Sequence, residues 1–146
     1  MQSKLRTASV VLLVLVGALV LLGSVGSASL AYFGDYPIAG VSVREIAAGR
    51  EALLTGLRGV RGTSAAWGAA WAVLFLASVL GPYRKGDIAT WWGLLASTLT
   101  VGLVVGARVV FLGTSAGTGA PLVLLTAVVV ALLLDVKRIA GTPPTA

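Results

Sequence analysis

The stretch Thr7–Ala31, TASVVLLVLVGALVLLGSVGSASLA, decides how the rest of the chain is read. It carries no charge, and Lys4 and Arg6 stand just before it. About 20 apolar residues suffice to cross the hydrocarbon core of a bilayer as a helix, so a transmembrane helix is predicted over 7–31. The same stretch also fits a secretory signal. It has a basic start, an apolar middle and the small residues Gly23, Ser24, Gly26, Ser27, Ala28, Ser29 and Ala31 where cleavage occurs. Cleavage would leave three spans instead of four.

Composition extends that reading to the whole chain. Of 146 residues, 58% are hydrophobic and 11% charged, against roughly 25% charged in soluble domains. Mean hydropathy is +1.00. The net charge of +6 falls in short groups between apolar runs instead of forming a continuous basic surface, which argues against nucleic acid as a partner. There is no cysteine and no histidine, so disulfide exchange, thiolate chemistry, bis-histidine haem ligation and most zinc sites are excluded. The cofactor, if any, is not legible.

Three further apolar segments follow, at 63–80, 88–112 and 119–134. Trp67, Trp71 and Phe75 recur at four-residue spacing along one side of the second, and Trp91 and Trp92 open the third. These tryptophans are expected as interface anchors, where indole rings favour the headgroup level. The connection Gly81–Asp87 holds Pro82, Arg84, Lys85 and Gly86, turn formers and cations that do not belong in hydrocarbon. Pro121 sits in the first turn of the last segment, where an amide hydrogen would have no helical partner. The tail 141–146, with two prolines, is expected to be disordered. With four spans, Lys4, Arg6, Arg84, Lys85, Lys137 and Arg138 fall on one side, and Arg44, Arg50, Arg58 and Arg61 on the other. The excess places both termini in the cytoplasm.

Between the first two spans, Ser42–Val60 is read as an amphipathic helix. Ser42 is a candidate N-cap, with Glu45 three positions later completing a capping box. On a helical wheel Ile46, Leu53, Leu57 and Val60 share one side, Arg44, Glu51 and Arg58 face the other, and Arg50 and Arg61 fall near the boundary. Such a helix lies on the membrane surface, leans on the bundle, or extends the second span outward with a break near Gly59–Thr63. The plain expectation for its charges is a solvated face.

Arg108 stands inside the third apolar segment, where a cation costs about 2.5 to 3.5 kcal/mol at mid-bilayer and less near an end that lets it snorkel. Counting spans puts it on the side of Asp35, Glu45 and Glu51, with Glu51 the first choice of partner. A cationic pocket there would suit an anionic or quinone-like head group, with Tyr36, Thr114, Ser115 and Thr118 as hydrogen-bonding neighbours. Gly93 with Ser97, Gly102 with Gly106, and Gly68 with Ala72 form small-xxx-small steps that permit close helix approach. The run GTSAGTG at Gly113–Gly119 lacks the lysine and preceding strand of a phosphate loop and is read as a tight connection.

The order of a plain apolar span, the aromatic connection Tyr32–Pro37, an Arg44-Glu45 helix continuing through Gly49-Arg50-Glu51 to Leu57, and an arginine late in the third span resembles the DoxX-like group of small four-helix membrane proteins of bacteria and archaea. The resemblance implies a compact bundle with charged residues near one mouth. Members are associated with electron-transfer or thiol-stress complexes, often as accessory subunits. The expected fold is therefore an all-α integral membrane four-helix bundle, one domain over 1–140, with the extra amphipathic helix at 42–60. The expected function is an accessory or structural subunit of a membrane complex, partnered by lipid and by another membrane protein or a second copy. A small transporter or pore, and a quinone- or lipid-binding oxidoreductase component, are the alternatives.

Overall fold

The computed structural model describes residues 2–113 and 117–137. The fold is almost wholly helical: α1 (Gln2–Phe33), a short hairpin of β1 (Pro37–Ile38) and β2 (Val41–Ser42), α2 (Val43–Ala47), α3 (Glu51–Ser78), a π-helical turn over Val79–Tyr83, α4 (Ile88–Leu112) and α5 (Gly119–Leu134). Among the described residues, three helices are long and apolar enough to cross a membrane: α1, α3 with its π turn, and α4. At 16 residues α5 is apolar as well but shorter. The expected tail at 141–146 lies outside the described residues.

The first helix runs unbroken through its glycines and serines to Phe33. The hairpin then reverses the chain, with Pro37 opposite Ser42 and Ile38 opposite Val41. Its two loop residues, Ala39 (φ 52°) and Gly40 (φ 87°), both adopt the positive φ that a tight hairpin turn of matching twist requires.

The helix expected over 42–60 is not continuous. Ser42 does cap α2, its Oγ accepting from the Arg44 amide, but α2 ends after five residues in a left-handed Ala48 followed by Gly49 at φ 77°. Helix resumes at Glu51 and passes through Gly59–Thr63 without interruption into the apolar part of α3. The segment thus extends the second apolar helix outward, and the break lies at 48–50 instead of 59–63. A pair of left-handed residues stops a helix outright, whereas an isolated glycine inside one costs only about 1 kcal/mol.

The end of α3 also differs from expectation. Pro82 does not terminate it; the backbone widens into the π turn at Val79–Tyr83 and stays helical through Lys85. A proline has no amide to donate and its ring crowds the carbonyl four residues back, and a wider turn accommodates both. Gly86, at φ 105°, ends the run, and Asp87 caps α4 by accepting from the Thr90 amide at 2.9 Å.

By packing, the chain divides into two compact units, one of Met1–Gly17 with Phe75–Ala146 and the other of Ala18–Leu74. In the first, Leu13, Val16, Phe75, Val79, Leu94, Val128 and Leu132 are buried. Within it Gly17 admits α3 closely: a Cβ there would lie 2.7 Å from Leu76 Cδ2. Two hydroxyls, Ser9 and Tyr83, are fully buried and hydrogen-bonded to each other at 2.7 Å, and Arg6 donates to the Arg84 carbonyl. The α4–α5 contact is marked by Gly102 against Leu125 and by Trp91 Nε1 donating to the Leu132 carbonyl at 3.2 Å. In the second unit, Ala31, Tyr36, Val43, Ala47, Ala65 and Ala72 are buried. There α1 and α3 approach so closely that a Cβ on Gly68 would lie 2.6 Å from Ser24 Oγ, and one on Gly62 would run into the Tyr32 hydroxyl.

Candidate functional site

The densest polar arrangement in the second unit gathers where the end of α1, the hairpin and the outer turns of α3 meet. Tyr36 follows the end of α1 and is buried; its hydroxyl donates to the Leu57 carbonyl at 3.0 Å. The Arg61 guanidinium stacks on the Tyr36 ring, 4.0 Å from its centroid, and Arg61 Nε donates to Ser27 Oγ at 3.1 Å. One turn earlier on α3, Arg58 Nη2 donates to the Gly34 carbonyl at 2.9 Å, which satisfies a backbone acceptor just past α1. Arg58 Nε is buried and meets no acceptor among the described residues.

The carboxylate beside this pair is otherwise engaged. Asp35 accepts from Ser42 Oγ and from the Tyr36 amide. The Ser42 hydrogen bond, followed by the backbone amides of Arg44 and Tyr36 and the Arg44 charge, holds its carboxyl below the ordinary value of 3.8, desolvation opposing them in part. These contacts brace the hairpin. Neither Arg58 nor Arg61 forms an ion pair with a carboxylate among the described residues.

This arrangement departs from the helical-wheel reading. The wheel puts Arg58 on the solvated side and Val60 on the apolar one. In the structure Arg58 and Arg61 are half-buried, together with Leu53, Leu54 and Leu57, while Val60 is 69% exposed. The wheel weighs side chains by polarity alone. Here both arginines are half-buried, and their guanidinium groups reach a carbonyl, a hydroxyl and an aromatic ring. The available signal in the sequence was the i, i+3 pairing of Arg58 and Arg61 on one side of a helix, opposite a connection rich in tyrosine.

Of the residues singled out for a pocket, Tyr36 belongs to the cluster just described, while Glu45 and Glu51 are exposed. Arg108 is exposed near the end of α4, its Nη1 lying 3.8 Å from the position a Cβ on Gly117 would take. Glu51 and Arg108 belong to different units. Ser115 and Thr114 lie outside the described residues, and Thr118 is buried. Among the tryptophans, Trp67 (73%) and Trp92 (53%) face outward, Trp71 is half-buried, and Trp91 is buried against α5 with its indole N–H satisfied there. On α4, Gly93 and Gly106 border open space, Ser97 is half-buried, and only Gly102 meets a neighbouring helix. Among the described residues no group of three or more His, Cys, Asp or Glu comes together as a metal site.

No family model, no curated protein and no solved structure matches the chain.

Proposed function

We propose that this chain is a multi-pass protein of the cell membrane, with four spanning helices and cytoplasmic termini, that serves as an accessory or structural subunit of a membrane complex. One observation carries the reading. In the most apolar stretch of each of the three long helices, only 22%, 22% and 11% of residues are buried within the fold. Outward side chains such as Leu19, Leu22, Leu74, Leu103, Val110 and Phe111 are more than half exposed. At about 25 cal/mol per Å² of apolar surface, that much greasy area demands lipid or partner helices as its surroundings.

The shorter α5 rises about 24 Å over its 16 residues, so its span draws on flanking residues to match a core of about 30 Å. Gly93 and Gly106, open on the outside of α4, offer places where a partner's backbone can come close. A role within a complex is also what the resemblance to the DoxX-like group implies.

Isolation of the tagged chain from its native membrane in mild detergent, followed by mass spectrometry of co-purifying proteins, lipids and quinones, tests the proposal. A partner protein at constant ratio is expected. Recovery of the chain alone overturns the accessory role and leaves the transporter and quinone-binding readings to be tested by uptake and by bound-quinone analysis.

A further inference from the structure

We propose that Arg58 and Arg61 form a binding site for a phosphate-bearing anion at the outer end of the α1–α3 contact. The two guanidinium groups stand one turn apart on the same side of α3, both half-buried. Burial raises the cost of an uncompensated cation, and a fold normally meets that cost with a carboxylate. Here the compensation supplied by the chain is neutral: the Gly34 carbonyl for Arg58, and the Ser27 hydroxyl and Tyr36 ring for Arg61. Asp35, the carboxylate one residue from both Gly34 and Tyr36, is turned to Ser42 and the Tyr36 amide. Donor capacity remains. Arg58 Nε is buried without an acceptor among the described residues, and of Arg61 only Nε is engaged in a hydrogen bond there.

Two forks held by packing, with N–H groups to spare, match the several oxygens of a phosphate better than a single carboxylate. The Tyr36 ring, itself fixed through its hydroxyl to Leu57, keeps the Arg61 plane in place before any ligand arrives, which lowers the ordering cost of binding. If the anion is a lipid headgroup, the inference rests on the membrane reading. The level is suitable: exposed Tyr32 and Phe33 end α1 nearby, Tyr32 touching α3 at Gly62, and exposed Trp67 follows Arg61 by about 9 Å along the helix axis. Aromatic side chains of this kind collect at the headgroup layer.

The test uses the full chain in a neutral detergent. Native mass spectrometry compares retention of phosphatidylglycerol with that of phosphatidylcholine, and a second arm measures competition by inorganic phosphate. The expected result is preferential retention of phosphatidylglycerol, weakened about tenfold by Arg58→Gln or Arg61→Gln and unchanged by Arg44→Gln on the exposed side. Because removal of either arginine also breaks an internal contact, Ser27→Asp supplies an independent check. It places an internal carboxylate beside Arg61 Nε, so this variant should fold and still lose the lipid. Competition by millimolar phosphate would identify a small-anion site, and its absence a lipid site. Equal retention of the two lipids together with no phosphate binding overturns the proposal, as does full retention of phosphatidylglycerol in folded Ser27→Asp. The phosphate arm reads the site even if the chain proves not to reside in a membrane, and membrane fractionation decides that separately.

Discussion

Arg58 illustrates how a residue's environment departs from its polarity: a cation by composition, it is half-buried and donates to the Gly34 carbonyl. Pairs of this kind set stability residue by residue. Ser9 and Tyr83 bury both hydroxyls and share one hydrogen bond. Tyr83→Phe is expected to cost about 1 to 3 kcal/mol in a detergent unfolding titration, because Ser9 Oγ loses its buried partner. In the cycle with Ser9→Ala the double variant should cost less than the sum of the singles; strict additivity would show that the bond contributes nothing. At Asp35 the readout is pH. Its folded pKa is depressed, so the hairpin contacts contribute stability above the unfolded value and lose it as pH falls through the folded one. Ser42→Ala removes the largest cause, and an NMR titration of the carboxyl carbon should then show the Asp35 pKa rising toward 3.8; an unmoved pKa would refute the assignment.

Helix boundaries are decided by single backbone conformations more than by hydrophobic pattern. The break between α2 and α3 rests on Ala48, held at φ 48°, ψ 45°, and on Gly49 at φ 77°. A left-handed conformation costs an L-residue about 1 to 2 kcal/mol. Ala48→Gly should therefore stabilise the protein by about 1 kcal/mol and Gly49→Ala destabilise it by a similar amount, both measured as shifts of the thermal midpoint. If Ala48→Gly instead destabilises, helix propensity outweighs the turn and the break is not intrinsic. That 42–60 is largely helical was legible in the sequence, but this break was not, since alanine is the strongest helix former and carries no turn signal. Pro82 misled in the opposite direction: it reads as a terminator, yet the π turn carries the helix past it and delivers Tyr83 to Ser9.

At the scale of the whole molecule the proposal is one of topology, and the absence of native cysteine makes it directly measurable. In intact cells an impermeant maleimide should label Glu45→Cys, while Lys85→Cys should react only after permeabilisation, because one span separates them and the cations favour a cytoplasmic Lys85. Labelling of both from the same side would show that α3 does not cross; the reverse pattern would invert the orientation. The helical, strongly apolar character of the chain followed from the sequence alone, because hydropathy summed over some 20 residues is a local property that needs no knowledge of neighbours. So did the Ser42 cap, whose acceptor reaches only its own helix. The tertiary structure alone decided that Arg58 and Arg61 turn inward, that Tyr36 lies beneath Arg61, that Trp91 is buried while Trp92 is not, and that Gly102 meets α5 while Gly93 and Gly106 face open space. Each depends on which side of a helix meets another one. In a chain whose helices are apolar nearly all round, hydrophobicity no longer distinguishes inside from outside, so the close contacts of particular side chains must do so.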